Sequence, residues 1–204
     1  MKFILASKSP RRKEILENLG LDFEIITADC DESCDLENPS DYVTSLALRK
    51  GIAVRDRLLE HGRLCDDTLI IAADTVVVAD GKILGKPKNP EDATRMLHMF
   101  SGKTHSVISG IALLCGEKTA ARAETTIVRF DRIPEKELTQ YVATSEPYDK
   151  AGAYAIQGFA SLWITGIEGD YFNVVGFPVK CFTDLLKEQF GISLADHLQK
   201  GILS

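Results

Sequence analysis

No stretch constrains this chain more than Leu69 to Ala79, which reads Leu-Ile-Ile-Ala-Ala-Asp-Thr-Val-Val-Val-Ala. It is β-branched and nearly continuous, the pattern of a strand buried on both faces. Asp80-Gly81 follows as a hairpin turn, and Lys82-Ile83-Leu84-Gly85-Lys86-Pro87 returns. Strands and helices elsewhere mix without strict alternation, which predicts α/β or α+β with a mixed sheet. Asp74 sits inside the apolar run, where an unpaired carboxylate is costly. Such a residue caps a neighbouring backbone, holds a metal or acts as a general base. Lys86, returning on the partner strand, favours the functional alternatives.

The first dozen residues carry a second signal. Phe3-Ile4-Leu5-Ala6 reads as a short buried strand, and Ser7-Lys8-Ser9-Pro10-Arg11-Arg12 leads straight into a helix. Ser9 suits the N-cap and Pro10 the first helical position. Ile15, Leu16 and Leu19 share one face, and Gly20 closes the helix. Two hydroxyls (Ser7, Ser9) and three cations (Lys8, Arg11, Arg12) thus surround a helix start with free N–H groups. That is an anion site suited to a polyphosphate, against the plainer alternative of a strand–helix corner with solvated cations.

Between these blocks, Phe23 to Ile26 alternates like a strand, and the acidic segment Ala28 to Pro39 reads mostly as a solvated loop. It has room for one metal-binding carboxylate, since Mg²⁺ needs only one or two from a protein. Ser40 is expected to cap a long amphipathic helix with Val43, Leu46, Ala47, Ile52 (or Ala53) and Val54 on its buried side. Spacing alone leaves Lys50 of that helix in solvent. Asn89-Pro90 opens another helix, buried through Ala93, Met96, Leu97 and Phe100 and ended by Ser101-Gly102. Val107 to Cys115 and Thr125 to Phe130 are expected as antiparallel strands joined at Gly116-Glu117-Lys118, and Pro134 to Ala143 as a helix. The glycines of Lys150 to Gly158 mark strand bends or close approach of a ligand. Pro178 to Phe190 and Ser193 to Gln199 read as closing helices.

The net charge of −6 argues against a chain built to coat nucleic acid or anionic membrane. With 204 residues, 45% hydrophobic and 26% charged, and no linker or repeat, one compact soluble unit is expected. Met1 to Ala6 is too short for a signal peptide and no run reaches transmembrane length, so a cytoplasmic protein is expected. Five cysteines with no export signal read as free thiols, and the Cys30/Cys34 pair lacks a second pair for zinc. P-loop, dinucleotide, nucleophile-elbow and HExxH signatures are all missing. The cations Lys8, Arg11, Arg12 and Lys86 with the acids Glu32 and Asp74 suggest phosphoryl chemistry with a divalent metal.

The order of these blocks resembles the Maf family of nucleoside triphosphate pyrophosphatases, also described as septum-formation inhibitors. The matching blocks are Leu5 to Arg12, Leu48-Arg49-Lys50, Ala72 to Val77, Ile83 to Pro87, Ser101 to His105 and Tyr148 to Gly158. The resemblance implies one Maf-like domain over residues 1–204 with an elongated, ITPase-like α/β (mixed α+β) fold. In that fold a central mixed sheet is flanked by helices, with two lobes around a cleft. It implies hydrolysis of a nucleoside triphosphate to the monophosphate and pyrophosphate, with Mg²⁺ or Mn²⁺, usually by a homodimer. Residue by residue, Ser7, Arg11 and Arg12 match the phosphate-binding loop, and Lys50 and Lys86 the phosphate-contacting lysines. Asp74 matches the catalytic acid, which activates water or holds the metal. Asp74, Lys86 and Arg12 are thus the expected catalytic set, and Glu32 joins Asp74 as an expected metal ligand.

The Ile156-Gln157-Gly158 block resembles the branch acting on dTTP and UTP, whereas the 7-methyl-GTP branch tends to carry Glu before the Gly. An amide offers a donor and an acceptor to a pyrimidine edge, while a carboxylate accepts from guanine N–H groups. Gln157 is therefore the expected substrate-reading residue. The competing readings are a 7-methyl-GTP pyrophosphatase and a nucleotide-sensing division regulator without turnover. For Asp149 and Lys150 both a mutual pair and a place in the cleft stay open.

Overall fold

The computed structural model describes residues 1–198. Seven strands form one mixed sheet: β1 (Lys2–Leu5), β2 (Phe23–Ile25), β3 (Thr68–Ala79), β4 (Lys82–Leu84), β5 (Thr104–Cys115), β6 (Lys118–Phe130) and β7 (Ile164–Glu168). Their order is β2-β1-β3-β5-β6-β7, with β4 on β3. Among the described residues six α-helices accompany them: α1 (Pro10–Asn18), α2 (Pro39–Glu60), α3 (Pro90–Phe100), α4 (Glu135–Val142), α5 (Tyr171–Val175) and α6 (Val179–Phe190). The chain divides into two compact units. The first holds Met1–Asp74, Ser109–Glu124 and the chain from Gly176 on, and the second Thr75–Ile108 with Thr125–Val175.

In the first unit β1 pairs in parallel with both β2 and β3, Phe3 opposite Phe23 and Leu69. Parallel neighbours need a crossover, and α1 supplies the one from β1 to β2. Gly20, at φ 74°, ends α1 in the left-handed turn that favours glycine. The core joins Ile4, Ala47, Val54, Leu58, Ile70, Ala72 and Leu114. The buried face of α2 runs through Gly51, while Ile52 is exposed. A Cβ at Gly51 would meet the Leu114 side chain and lie 3.5 Å from Ala72 Cβ. Gly110 of β5 likewise leaves no room for a Cβ against the backbone of Val43 and Thr44. These two glycines let α2 press onto the sheet, which brings Lys50 to Asp74 in the middle of β3. The α2 cap is Asn38, accepting from Ser40 N and Asp41 N, and Ser40 is already helical. Asn38 outcompetes Ser40 because Pro39 suits the first helical position and has no N–H to satisfy.

In the second unit β3 turns at Asp80 (φ 48°) and Gly81 (φ 72°) into antiparallel β4, and β6 pairs antiparallel with β7. Asn89 caps α3 by accepting from Asp92 N. The segment after Lys150 forms no strand: Gly152 (φ 72°) and Ala153 (φ 62°) are both left-handed, which breaks an extended run into short 3-10 turns. The expected helix from Ser193 is a 3-10 turn over Leu194–His197, and Gln199 lies outside the described residues. Among the described residues no helix is long and apolar enough to cross a membrane.

His105, 4% exposed, is part of this unit's core, its ring 4.2 Å from Phe100 and 5.1 Å from Phe130. Its Nε2 lies 2.7 Å from the Tyr154 hydroxyl, and its buried Nδ1 has no partner among the described residues. Burial lowers its pKa from 6.5 to about 4. Between those values the unfolded chain takes up a proton that the folded one refuses, so stability is lost as pH falls from 6.5 toward 4. The full contribution is about 3 kcal/mol. In urea unfolding at pH 7 and pH 4.5, His105→Phe should gain on the wild type as pH drops. A stability difference that stays constant over that window would contradict this.

Candidate active site

Two groups of the expected residues meet in the first unit. Ser7, 8% exposed, follows β1 and accepts hydrogen bonds from Ser9 N (3.2 Å) and Arg12 Nη1 (3.1 Å). Ser9 occupies the N-cap position but its side chain does not cap; its N–H turns back onto Ser7, a local serine turn. Arg12 also donates from Nη1 to Ala73 O at 2.8 Å and from Nε to Gly176 O at 3.0 Å. Its guanidinium therefore ties the start of α1 to β3 one residue before Asp74. Burial pulls the Arg12 pKa down, with the Asp74 charge acting against that shift. Arg11 and exposed Lys8 make no hydrogen bond or ion pair among the described residues, so both cations face solvent or a ligand.

The second group forms around Lys50. Its ammonium lies 2.6 Å from Asp74 Oδ1 and 3.3 Å from Glu32 Oε1. Asp74 and Lys50 are 14% and 20% exposed, whereas Glu32 is 61% exposed. A charge-assisted bond of this length, largely screened from water, fixes the orientation of the Asp74 carboxylate. The loop bearing Glu32 has its own scaffold. Asp31 accepts from Ser33 N and Ser33 Oγ, both at 2.8 Å, and Arg49 Nη1 donates to Asp31 O at 3.3 Å. The Ser33 N–H bond lowers the Asp31 pKa. Among the described residues no three His, Cys, Asp or Glu side chains are grouped to hold a metal.

In the second unit Lys86 lies two residues beyond β4, exposed and with no hydrogen bond or ion pair among the described residues. Its neighbour Gly85 accepts from Gly152 N at 3.0 Å, and Gly152 packs on Val77. Lys86 is thereby tethered to the segment that leads to Gln157. Gln157 is exposed in the turn closed by Gly158 N to Ala155 O at 3.2 Å, and its amide has no partner among the described residues. Lys150 bonds within its own segment, to Asp149 Oδ1 at 2.5 Å and to Glu146 O at 2.8 Å.

The family model described as Maf-like protein matches residues 2–189. The chain belongs to the Maf family. Over 194 residues it is 47% identical to the dTTP/UTP pyrophosphatase of Caldanaerobacter subterraneus subsp. tengcongensis, covering 94% of this chain and 91% of the relative. The dTTP/UTP pyrophosphatase of Thermoanaerobacter sp. (strain X514) is 44% identical over 196 residues, 95% of this chain and all of the relative. That of Bacillus cereus (strain ATCC 14579) is 44% identical over 194 residues, 95% of this chain and 97% of the relative.

Two structural contributors of this Maf chain lie in a block that the sequence reading passes over. Gly176 supplies the carbonyl that holds Arg12 Nε, at a φ of 119° that favours glycine. Asn173, fully buried, donates from Nδ2 to Val107 O and Thr126 Oγ1, both at 3.0 Å. An asparagine set in the apolar run Phe172-Asn173-Val174-Val175 was the available signal, as Asp74 is in its own run.

Proposed function

We propose that this Maf protein hydrolyses dTTP and UTP at the α–β phosphoanhydride, releasing the nucleoside monophosphate and pyrophosphate. The observation that carries the chemistry is the Asp74 carboxylate, set at the end of a buried run and oriented by Lys50 at 2.6 Å. In this reading a water beside Asp74 gives up its proton to the carboxylate as its oxygen bonds to the α-phosphorus. The bond from that phosphorus to the bridging oxygen breaks, and pyrophosphate leaves with the electron pair. Arg11, Lys8 and the Ser7–Arg12 helix start offer positive charge to the phosphates. Lys86 is proposed as a further phosphate cation and Gln157 as the residue that reads the base.

Glu32 and Asp74 suit a divalent cation, since both carboxylates already converge on one positive charge, the Lys50 ammonium. Two hard oxygen donors, without a fuller protein cage, match Mg²⁺ or Mn²⁺, which complete their shell with phosphate oxygens and water. Bound there, the ion supplies charge neutralisation to the triphosphate.

The test is pyrophosphate release with Mg²⁺ across dTTP, UTP, CTP, GTP and 7-methyl-GTP at matched concentrations. Fastest release from dTTP and UTP is expected. Dominant turnover of 7-methyl-GTP would reject the pyrimidine assignment, and no release by folded protein would favour a nucleotide sensor. Gln157→Glu should shift the ranking away from pyrimidines by about tenfold, the worth of one well-placed hydrogen bond. An unchanged ranking would remove Gln157 from substrate reading.

A further inference from the structure

Glycine stands at position 158 for a reason its own backbone does not supply. Gly158 has φ −108° and ψ −159°, an extended conformation open to any residue. What a side chain there would meet is Glu146: a Cβ on Gly158 would lie 2.5 Å from its Cδ, so the carboxylate would have to shift off its present partners. That carboxylate sits over the turn and accepts from Phe159 N, at 3.1 Å to Oε1 and 3.2 Å to Oε2. Phe159 opens the 3-10 turn Phe159–Trp163, so Glu146 satisfies an N–H that the turn itself leaves unpaired.

Glu146 is itself held from three sides. Tyr141 donates its hydroxyl to Oε1 at 3.2 Å, and burial together with the Glu146 charge pushes the Tyr141 pKa up, so the phenol keeps the proton it donates. The Tyr141 ring stacks on Phe159 at 5.8 Å and 20° and meets Trp163 edge-on at 5.2 Å. Trp163 in turn donates Nε1–H to Glu137 at 2.7 Å. The Glu146 backbone donates to Thr144 Oγ1 at 3.2 Å and accepts from Lys150 Nζ at 2.8 Å. A fixed carboxylate therefore clamps the residues just after Gln157, while the Gln157 amide makes no hydrogen bond among the described residues.

We infer that Glu146 is a specificity-positioning residue: it fixes the Gln157-Gly158-Phe159 turn so that the Gln157 amide is presented preformed to the nucleobase. This rests on Gln157 being the base-reading residue and adds what holds it in place. Preorganisation of this kind acts on substrate binding and discrimination, leaving proton transfer at Asp74 untouched.

The experiment compares wild type, Glu146→Ala, Glu146→Gln, Gly158→Ala and the Gly158→Ala/Glu146→Ala double variant. KM, kcat and Tm are measured on the triphosphate that the wild type uses best and on two poorer ones. Glu146→Ala should raise KM about tenfold and narrow the substrate ranking, with kcat within about twofold. Glu146→Gln keeps the acceptor oxygen for Phe159 N–H and Tyr141 and should restore KM to within about threefold of wild type. Gly158→Ala should resemble Glu146→Ala, and the double variant should be no worse than either single one, because the Cβ then enters vacated space. A folded Glu146→Ala with reduced Tm but unchanged KM and ranking would overturn the proposal. Should Glu146→Ala not fold, unchanged KM and ranking in folded Gly158→Ala overturns it equally. A wild type that prefers a purine triphosphate rejects the pyrimidine assignment, and the Glu146 comparison is then decided on that substrate.

Discussion

Asp74→Asn is expected to lower kcat for pyrophosphate release by about 10³-fold, within the range general acid–base groups supply, while the folded state survives. The substitution is nearly isosteric, and the amide oxygen can still accept from Lys50 Nζ, which lies 2.6 Å from Oδ1 in the native pair. What vanishes is the negative charge and with it the proposed proton acceptor. Lys50 then retains Glu32 at 3.3 Å, a side chain 61% exposed and so still partly met by water. Only a modest change in Tm is expected, because the ammonium keeps a hydrogen bond and a counter-charge. Near-wild-type release by folded Asp74→Asn would take Asp74 out of the chemistry. Raised Mn²⁺ separates its two possible duties: recovery of rate assigns Asp74 to holding the ion, and lack of recovery assigns it to the proton.

Local pattern made some of this legible and hid the rest for identifiable reasons. Leu69 to Ala79 shows itself as a strand because β-branched residues fill it, and Asp80-Gly81 adopts the positive φ angles that its turn requires. The start of β6, Lys118 to Glu124, escapes notice because its residues are polar or small, as on a poorly buried stretch. β7 escapes as well: Ile164-Thr165-Gly166-Ile167-Glu168 is short and has glycine at its centre. Lys150 to Gly158 suggests strand bends, yet Ala153 at φ 62° gives no compositional hint that the chain turns there. The same division holds for the candidate site residues. Asp74 stands out as a charge in an apolar run. Lys50 looks solvated by periodicity, because its partner lies on another element 24 residues away. Gly158 likewise reads as a strand bend or a point of ligand approach until Glu146 is seen in the space of its missing Cβ.

Arg11 and Arg12 are neighbours in sequence, and their substitutions should separate structure from ligand binding. Arg12 donates to Ser7 Oγ, Ala73 O and Gly176 O, so Arg12→Ala strips two backbone carbonyls and a hydroxyl of their donor at once. With charged donors worth about 1.5–3 kcal/mol each and water entering the gap, a net loss of about 3 kcal/mol is expected. For a chain of this length that corresponds to a fall in Tm of roughly 6–12 °C. The Ala73 carbonyl also positions the strand just before Asp74, so kcat should fall with stability, by about 10²-fold, as expected for a misplaced catalytic group. Arg12→Lys should recover only part of either loss, because an ammonium cannot reproduce a fork that bonds from both Nε and Nη1. Arg11→Ala is the contrast, since Arg11 makes no bond to the described protein. Its Tm should stay within about 2 °C of wild type. KM for the triphosphate should nevertheless rise about tenfold, through lost attraction at the helix start. Thermal unfolding and steady-state kinetics on both variants decide the matter: equal Tm losses would mean that Arg11 also holds the fold, and an unchanged Tm in Arg12→Ala would mean that its three hydrogen bonds do not.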